Sequence, residues 1–195
     1  VVGEAGDYGE LRSLMRTLLQ DPAHEPGRNG PCDVLVLDIN LPGRSGLDML
    51  HALKDEGSPV KVLVVSMYPE DQYAIRALRG GAYGYVNKGG DPQVIVQAVR
   101  TVAQGRKYVT PEIAQMLVES LTAPAPEQPH QRLSDRELQT LLMIASGKRL
   151  SDIASELMLS PKTVSVYRAR VLEKLGLANN SELTVYAIRN GLVGE

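Results

Sequence analysis

A doubly wound α/β domain built on a parallel sheet, followed by a small all-helical domain, is the fold class predicted for this 195-residue chain. Three observations predict it. Apolar runs of strand length alternate with helix-length segments up to about residue 121, the pattern of βα units closing a parallel sheet. The stretch Thr122-Ala-Pro-Ala-Pro-Glu-Gln-Pro-His-Gln131 has three prolines and no large apolar residue, so it reads as an extended, semi-rigid linker. Beyond it no strand signal remains.

Val1 to Ala5 is a short β-like run, and Tyr8 to Leu19 shows helical spacing. Residues 20–32 are loop chemistry throughout. Val34 to Leu37 is an apolar run that fits a strand buried on both faces, delivering Asp38 to its C-terminal end before a turn at Pro42-Gly43. Leu47–Leu53 begins the next helix, Val60–Ser66 is a second buried strand, Glu70–Leu78 is helical and Tyr83–Asn87 is a short strand. Asp91 caps a helix over Pro92–Gln104 with proline at its first position, and Thr110-Pro111 opens another that runs to about Leu121. After the linker, Ser134, Ser151, Ser160-Pro161 and Ser181 mark four helix starts, and Gly147 and Gly176 stand where helix ends need a left-handed residue. The expected division is therefore 1–121 (a core over 1–104 plus helix 111–121), a linker over 122–131 and a helical domain over 132–195.

Composition narrows the function classes. The single cysteine, Cys32, rules out an internal disulfide and fits a reducing, cytoplasmic setting. No apolar stretch approaches the ~20 residues that span a bilayer, so no membrane association is expected. Residues 130–195 carry nine Lys/Arg against seven Asp/Glu, while the rest of the chain carries twelve against sixteen. That asymmetry mildly favours a polyanion partner for the C-terminal domain. The chain starts at Val rather than Met, so a missing natural N-terminus is expected.

The chemistry of the first domain lies at its strand ends. A lone Asp38 is equally a turn-initiating residue or a nucleophile and metal ligand. Right-handed crossovers bring the ends of successive strands to one crevice, where Asp38 would meet Ser66 and Lys88. An acid, a hydroxyl and an amine together suit phosphoryl transfer to a carboxylate: Asp38 attacks, a cation neutralises the equatorial oxygens, and Ser66 donates to one of them.

Asp38, Pro42-Gly43, Ser66, Tyr85 and Lys88, in this order and on these elements, resemble the receiver domain of bacterial two-component response regulators over residues 1 to about 104. The resemblance implies a flavodoxin-like sheet, Asp38 as phospho-acceptor, and Mg²⁺ held by Asp38 and the backbone carbonyl of Asn40. It also implies a switch pair, in which the Ser66 hydroxyl moves toward the phosphate and the Tyr85 ring follows. Receivers open with a further strand that ends in two acids and lies mid-sheet, here between the strands holding Val2 and Val36. That strand is absent from this sequence; an unseen N-terminal segment is favoured over a strand from another chain or a degenerate receiver. Glu4 and Asp7 follow the wrong strand and are not assigned to metal.

In the C-terminal domain, helix 151–157, a turn around Met158-Leu159-Ser160 and helix 161–175 give helix-turn-helix spacing. On a helical wheel Val164, Tyr167, Val171 and Leu175 gather on one face, with the Arg168 stem among them and its head escaping to solvent or an acid. The opposite face holds Lys162, Val166 and Ala169, flanked by Thr163, Ser165 and Arg170. This reads as an ordinary solvated face or as a face for the major groove. In the second case Lys162, Arg170 and Lys174 meet phosphates, while Ser165, Val166 and Ala169 reach base edges. The string from Leu133-Ser134 to Lys174-Leu-Gly is similar to the LuxR-type helix-turn-helix that ends regulators of the NarL/FixJ family. The resemblance implies DNA as ligand and a dimer contact on the last helix, Ser181–Asn190. Leu183, Tyr186 and Ala187 are the candidates, with packing inside the domain as an equal alternative.

The expected function is a phosphorylation-controlled transcription regulator with a histidine kinase as partner, acting on DNA as a homodimer, and not an enzyme. The alternatives are a constitutive DNA-binding protein with a silent receiver, and a stand-alone phosphatase, disfavoured because a second acid two residues after Asp38 is replaced by Asn40.

Overall fold

Parallel pairing of three short strands organises the N-terminal half. The computed structural model describes residues 1–19, 32–42, 44–68, 70–122 and 128–193, which fall into two units, Val1–Ala123 and Pro124–Glu195. In the first unit the elements are α1 (Tyr8–Leu19), β1 (Val34–Asp38), α2 (Gly46–Asp55), β2 (Lys61–Ser66), α3 (Glu70–Gly80), β3 (Gly84–Asn87), α4 (Pro92–Ala103) and α5 (Pro111–Thr122). The expected loop at 20–32 lies outside the described residues except Cys32, as does Gly43 of the Pro42-Gly43 turn.

The sheet order is β1-β2-β3, all parallel, with Asp38 opposite Val65 and Ser66 opposite Asn87. Val62, Leu63, Val64, Val65 and Ser66 are all buried, so β2 is covered on both faces, as its unbroken apolar run requires. On one face Leu63, Val65 and Val86 pack with Ala98 and Val102 of α4. Val64 and Tyr85 share the other, which α3 helps to cover with the buried Tyr73, Ala74 and Ala77. Asp91 caps α4 as expected, its side chain accepting from the Gln93 amide. One addition was not anticipated: Tyr108 forms an isolated parallel bridge to Gly84, extending the sheet by one residue.

Val1–Ala5 is not a strand, against expectation. Val1 and Val2 are exposed, and among the described residues β1 pairs only with β2. A strand forms where a neighbour satisfies its backbone groups, and the far edge of β1 instead borders a groove of about 710 Å³ lined by Val1–Ala5, Leu11, Leu14 and Val34–Asp38. Val36 is consequently 49 % exposed in mid-strand.

In the second unit a 3₁₀ turn (Pro129–Arg132) leads into α6 (Asp135–Ala145), α7 (Leu150–Glu156), α8 (Pro161–Leu175) and α9 (Asn180–Arg189). The linker expectation is adjusted: Thr122 closes α5, Pro129–Arg132 is a turn rather than extended chain, and residues 123–127 lie outside the described set. Ser134 and Ser160 cap α6 and α8 as expected. Ser151 and Ser181 do not cap; α7 starts after Arg149, and Asn179 caps α9 by accepting from the Glu182 amide. Serine and asparagine satisfy the same orphan donors, so neighbouring cap residues shift a start by one or two positions. Gly147 and Gly176 take φ of 83° and 67°. α6 packs on α8 and α9 through a core that includes Leu141, Ile153, Val164, Val171 and Leu183.

Gly46 joins this fold to the strand end that carries Asp38. Its amide donates to the Ile39 carbonyl at 2.9 Å, and a Cβ there would lie 2.0 Å from the Asp38 carbonyl oxygen. Gly46→Ala is expected to push β1 and α2 apart and to destabilise the chain by about 1–3 kcal/mol; a urea midpoint equal to that of the unsubstituted protein would contradict this.

Candidate functional site

The crevice at the C-terminal edge of the sheet takes one side chain from each strand end. Asp38 closes β1, and Lys88 follows β3; the Lys88 ammonium donates to Asp38 Oδ2 at 2.6 Å. The other carboxylate oxygen, Oδ1, accepts the Asn40 amide at 3.0 Å. Side chains of Lys88 and Asp38 are 37 % and 31 % exposed, so the ion pair is reachable from solvent. Such a pair contributes little to stability, about 0–1 kcal/mol; its consequence is geometric, setting a cation beside a solvent-reachable carboxylate oxygen.

Ser66 and Tyr85 meet one loop residue, Tyr68. The fully buried Ser66 hydroxyl accepts from the Tyr68 amide at 3.2 Å, and the Tyr85 hydroxyl donates to the Tyr68 carbonyl at 2.7 Å. The Tyr85 ring is fully buried. The Ser66 carbonyl accepts from the Lys88 amide at 2.7 Å, which fixes the lysine loop to the serine strand. Asp38 and Lys88 are thus brought into contact, while Ser66 and Tyr85 share a neighbour.

Of the two groups expected to hold a cation, the Asp38 carboxylate stands at the crevice, and Asn40 is tied to it through its backbone amide. No group of three or more His, Cys, Asp or Glu side chains converges among the described residues. Mg²⁺ takes hard oxygens and keeps several waters when only one or two carboxylates reach it, so this partial set fits it in kind. Glu4 stays unassigned, and Asp7 works as a cap, its carboxylate accepting the Glu10 amide at 2.8 Å. Burial pushes the Cys32 thiol up, away from the reactive thiolate range.

In the second unit α7, a turn and α8 form the helix-turn-helix. Met158 turns the chain with φ of 50°, and the Leu159 amide donates back to the Ala154 carbonyl at 2.8 Å. Lys162, Ser165, Val166, Ala169 and Arg170 are exposed on α8, on the face the wheel assigned to a groove. Thr163 is half-buried and bound into the cap, its hydroxyl 2.8 Å from that of Ser160. The inner face also includes Leu172, which the wheel reading missed. Arg168 Nε donates to Asn180 Oδ1 at 2.5 Å, an amide rather than the acid or solvent expected.

Lys174, expected at a phosphate, is half-exposed and bonded within the domain. Its ammonium donates to Glu137 Oε2 at 2.6 Å, and that glutamate side chain is only 3 % exposed. Glu137 also closes a capping box with Ser134. Burial pushes its carboxyl up, but the hydrogen bonds from Lys174 and Ser134 outweigh this and hold it below the usual glutamate range. Two of the three dimer candidates are likewise corrected: Leu183 and Ala187 are fully buried in the domain core. Tyr186 is half-buried beside His130, with its hydroxyl 3.1 Å from Nδ1, and α9 shows Val185 and Ile188 to solvent instead. Their i, i+3 spacing was the available signal. Sequence reading also missed Gly46 and Asn87, whose roles appear only when strand ends are placed side by side.

Comparison with known proteins finds a separate family match in each unit. A family model for the response regulator receiver domain matches residues 10–100, and one for bacterial regulatory proteins of the luxR family matches residues 131–187. The chain is 40 % identical over 160 residues to the response regulator GacA of Pseudomonas protegens, covering 82 % of this chain and 75 % of that protein. It is 38 % identical over 166 residues to the response regulator UvrY of Escherichia coli, covering 85 % and 76 %. Among solved structures it resembles a LuxR-family two-component response regulator from Aurantimonas sp. (TM-score 0.51, 31 % identity, 63 % of this chain and 79 % of that one). It also resembles RcsB from Salmonella enterica serovar Typhimurium bound to promoter rprA with the phosphomimetic BeF3⁻ (TM-score 0.54, 26 % identity, 95 % and 84 %).

The Glu137–Lys174 bridge has a pH signature. A carboxyl held low when folded stabilises the protein above its ordinary pKa of 4.5, and that contribution is lost as pH falls through the lower folded value. Lys174→Met should cost about 1–3 kcal/mol at pH 7 by leaving the carboxylate buried without its ammonium. The deficit should shrink as pH falls below 4.5 and protonation progressively removes the bridge; urea melts at pH 7 and through the acid range check it.

Proposed function

Because the chain belongs to the NarL/FixJ family of two-component response regulators, with a receiver domain and a LuxR-type helix-turn-helix, we propose that phosphorylation of Asp38 controls its binding to DNA. The observation that carries the proposal is the 2.6 Å contact between the Lys88 ammonium and the Asp38 carboxylate at the C-terminal edge of a parallel sheet. An Asp38 oxygen attacks the phosphorus of a phosphohistidine on a partner kinase. The P–N bond breaks, the imidazole leaves, and an acyl phosphate forms. Lys88 then neutralises phosphoryl oxygens in place of the carboxylate it now holds. Asp38 and the Asn40 carbonyl would hold Mg²⁺, which supplies further positive charge when bound. Turnover is confined to the chain's own carboxylate, so the protein acts as a cytoplasmic switch rather than as an enzyme on a separate substrate.

The acyl phosphate carries about −1.5 to −2 charge where the carboxylate carried −1, and adds further acceptor oxygens at the crevice. The Ser66 hydroxyl, which accepts from Tyr68 in the resting geometry, can turn to donate to the new oxygens, changing the Tyr68 loop that Tyr85 holds. The response is a population shift in a small bistable element. On the DNA side, Lys162 and Arg170 contact phosphates while Ser165, Val166 and Ala169 face base edges. Thr163 serves the cap, and Lys174 the domain's own structure. Val185 and Ile188 on α9 form the apolar strip for a homodimer. One observation favours the rival reading of a phosphorylation-independent regulator: among the described residues no group of three or more His, Cys, Asp or Glu side chains stands ready to hold a metal ion.

Two measurements test these roles. Asp38→Asn should abolish acyl-phosphate labelling by a phosphodonor and leave DNA affinity unresponsive to it; equal affinity of the unsubstituted chain with and without donor would support the rival. Lys162→Ala should weaken binding evenly across sequences and reduce the slope of log affinity against log salt by about 1; an unchanged slope would remove Lys162 from the interface.

A further inference from the structure

Asn87, the last residue of β3, sits between the two loops that flank the crevice. Its side-chain amide donates to the Tyr68 carbonyl at 3.1 Å, and its side-chain carbonyl accepts from the Gly89 amide at 2.7 Å. The same Tyr68 carbonyl accepts the Tyr85 hydroxyl at 2.7 Å. Tyr85 and Asn87 are two residues apart on β3 and so share a face, and both donors converge on one oxygen of the loop that follows Ser66. On its other side Asn87 grips the residue directly after Lys88. A carboxamide is suited to this because it offers a donor and an acceptor on one fork; an aliphatic side chain offers neither, and a carboxylate only the acceptor.

We propose that Asn87 is a positioning residue for phosphoryl transfer: its carboxamide clamps the Ser66–Tyr68 loop to the Lys88–Gly89 loop, so that the hydroxyl and the ammonium are held in one frame around Asp38. This rests on the phosphorylation reading above. The consequence lies on the path from packing to chemistry. A tether between loops fixes relative placement, and misplacement of about 1 Å can cost up to ~100-fold in rate. Two donors on one carbonyl also make the clamp redundant. Either Tyr85 or Asn87 alone retains part of the hold on Tyr68, and loss of both frees the loop.

The test is a double-substitution cycle on the full chain, with acetyl phosphate as donor in Mg²⁺ buffer and the first-order rate of acyl-phosphate formation as readout. Asn87→Leu should slow this rate on the order of fivefold with the melting temperature changed little. Combining Asn87→Leu with Tyr85→Phe should lose more than the product of the two single losses, because the shared carbonyl couples them. A merely structural Asn87 would lower the melting temperature and leave the rates multiplicative. A rate for Asn87→Leu within twofold of the unsubstituted chain, or a double loss at or below the product, overturns the proposal. Should Asn87→Leu fail to fold, Asn87→Ser, too short to span both partners, takes its place in the same cycle. No labelling of the unsubstituted chain, or labelling that survives Asp38→Asn, counts instead against the phosphorylation reading itself.

Discussion

Parallel register across β1, β2 and β3 is the constraint from which the candidate site follows. In parallel strands joined by helices, all carboxyl ends point the same way and end at one edge. Asp38 stands opposite Val65, and Ser66 opposite Asn87. A slip of one residue in β3 would turn Tyr85 and Asn87 to the face that Val86 occupies. The Tyr68 carbonyl would then lose both donors, and the backbone bond from Lys88 to the Ser66 carbonyl would be misaligned. Side-chain shape on β3 holds the register, because a slip would exchange the buried Tyr85 and Val86 between faces packed by different helices.

The site built on this frame stores little energy in its own contacts. The Lys88–Asp38 pair is partly exposed and of small net value, so it can open without dismantling the fold. Support comes from beneath. Gly46 lets α2 start against the Asp38 carbonyl, the Ser45–Asp48 capping box fixes that start, and Leu47, Leu50 and Leu53 bury the helix. Stability and reactivity are thus carried by different residues.

The helical unit separates the same two tasks by charge. Lys174 is committed to a buried glutamate that also caps α6, whereas Lys162 and Arg170 remain on the exposed face of α8. The four cations of this helix therefore do unlike work, Arg168 being bonded to Asn180. Lys162 and Arg170 are offered to a polyanion, whose attraction is set by the number of phosphates neutralised.

The chain's one-dimensional pattern determined a great deal. The strand and helix order, Asp91, Ser134 and Ser160 as caps, the left-handed glycines, and Asp38 and Lys88 as neighbours were legible, because these depend on local spacing and on the handedness of short crossovers. The failures share a cause. Val1–Ala5 reads as a strand by its residues, but a strand exists only with a partner. Lys174 reads as a phosphate contact by its place on a wheel, yet Glu137, thirty-seven residues earlier, claims it. Leu183 and Ala187 read equally as interface or core until α6 covers them. Asn87 carried no signal, since its value lies in joining two loops distant in sequence. What residues prefer locally is written along the chain; which of them meet is decided by packing, because burial and hydrogen bonding are satisfied by neighbours in space.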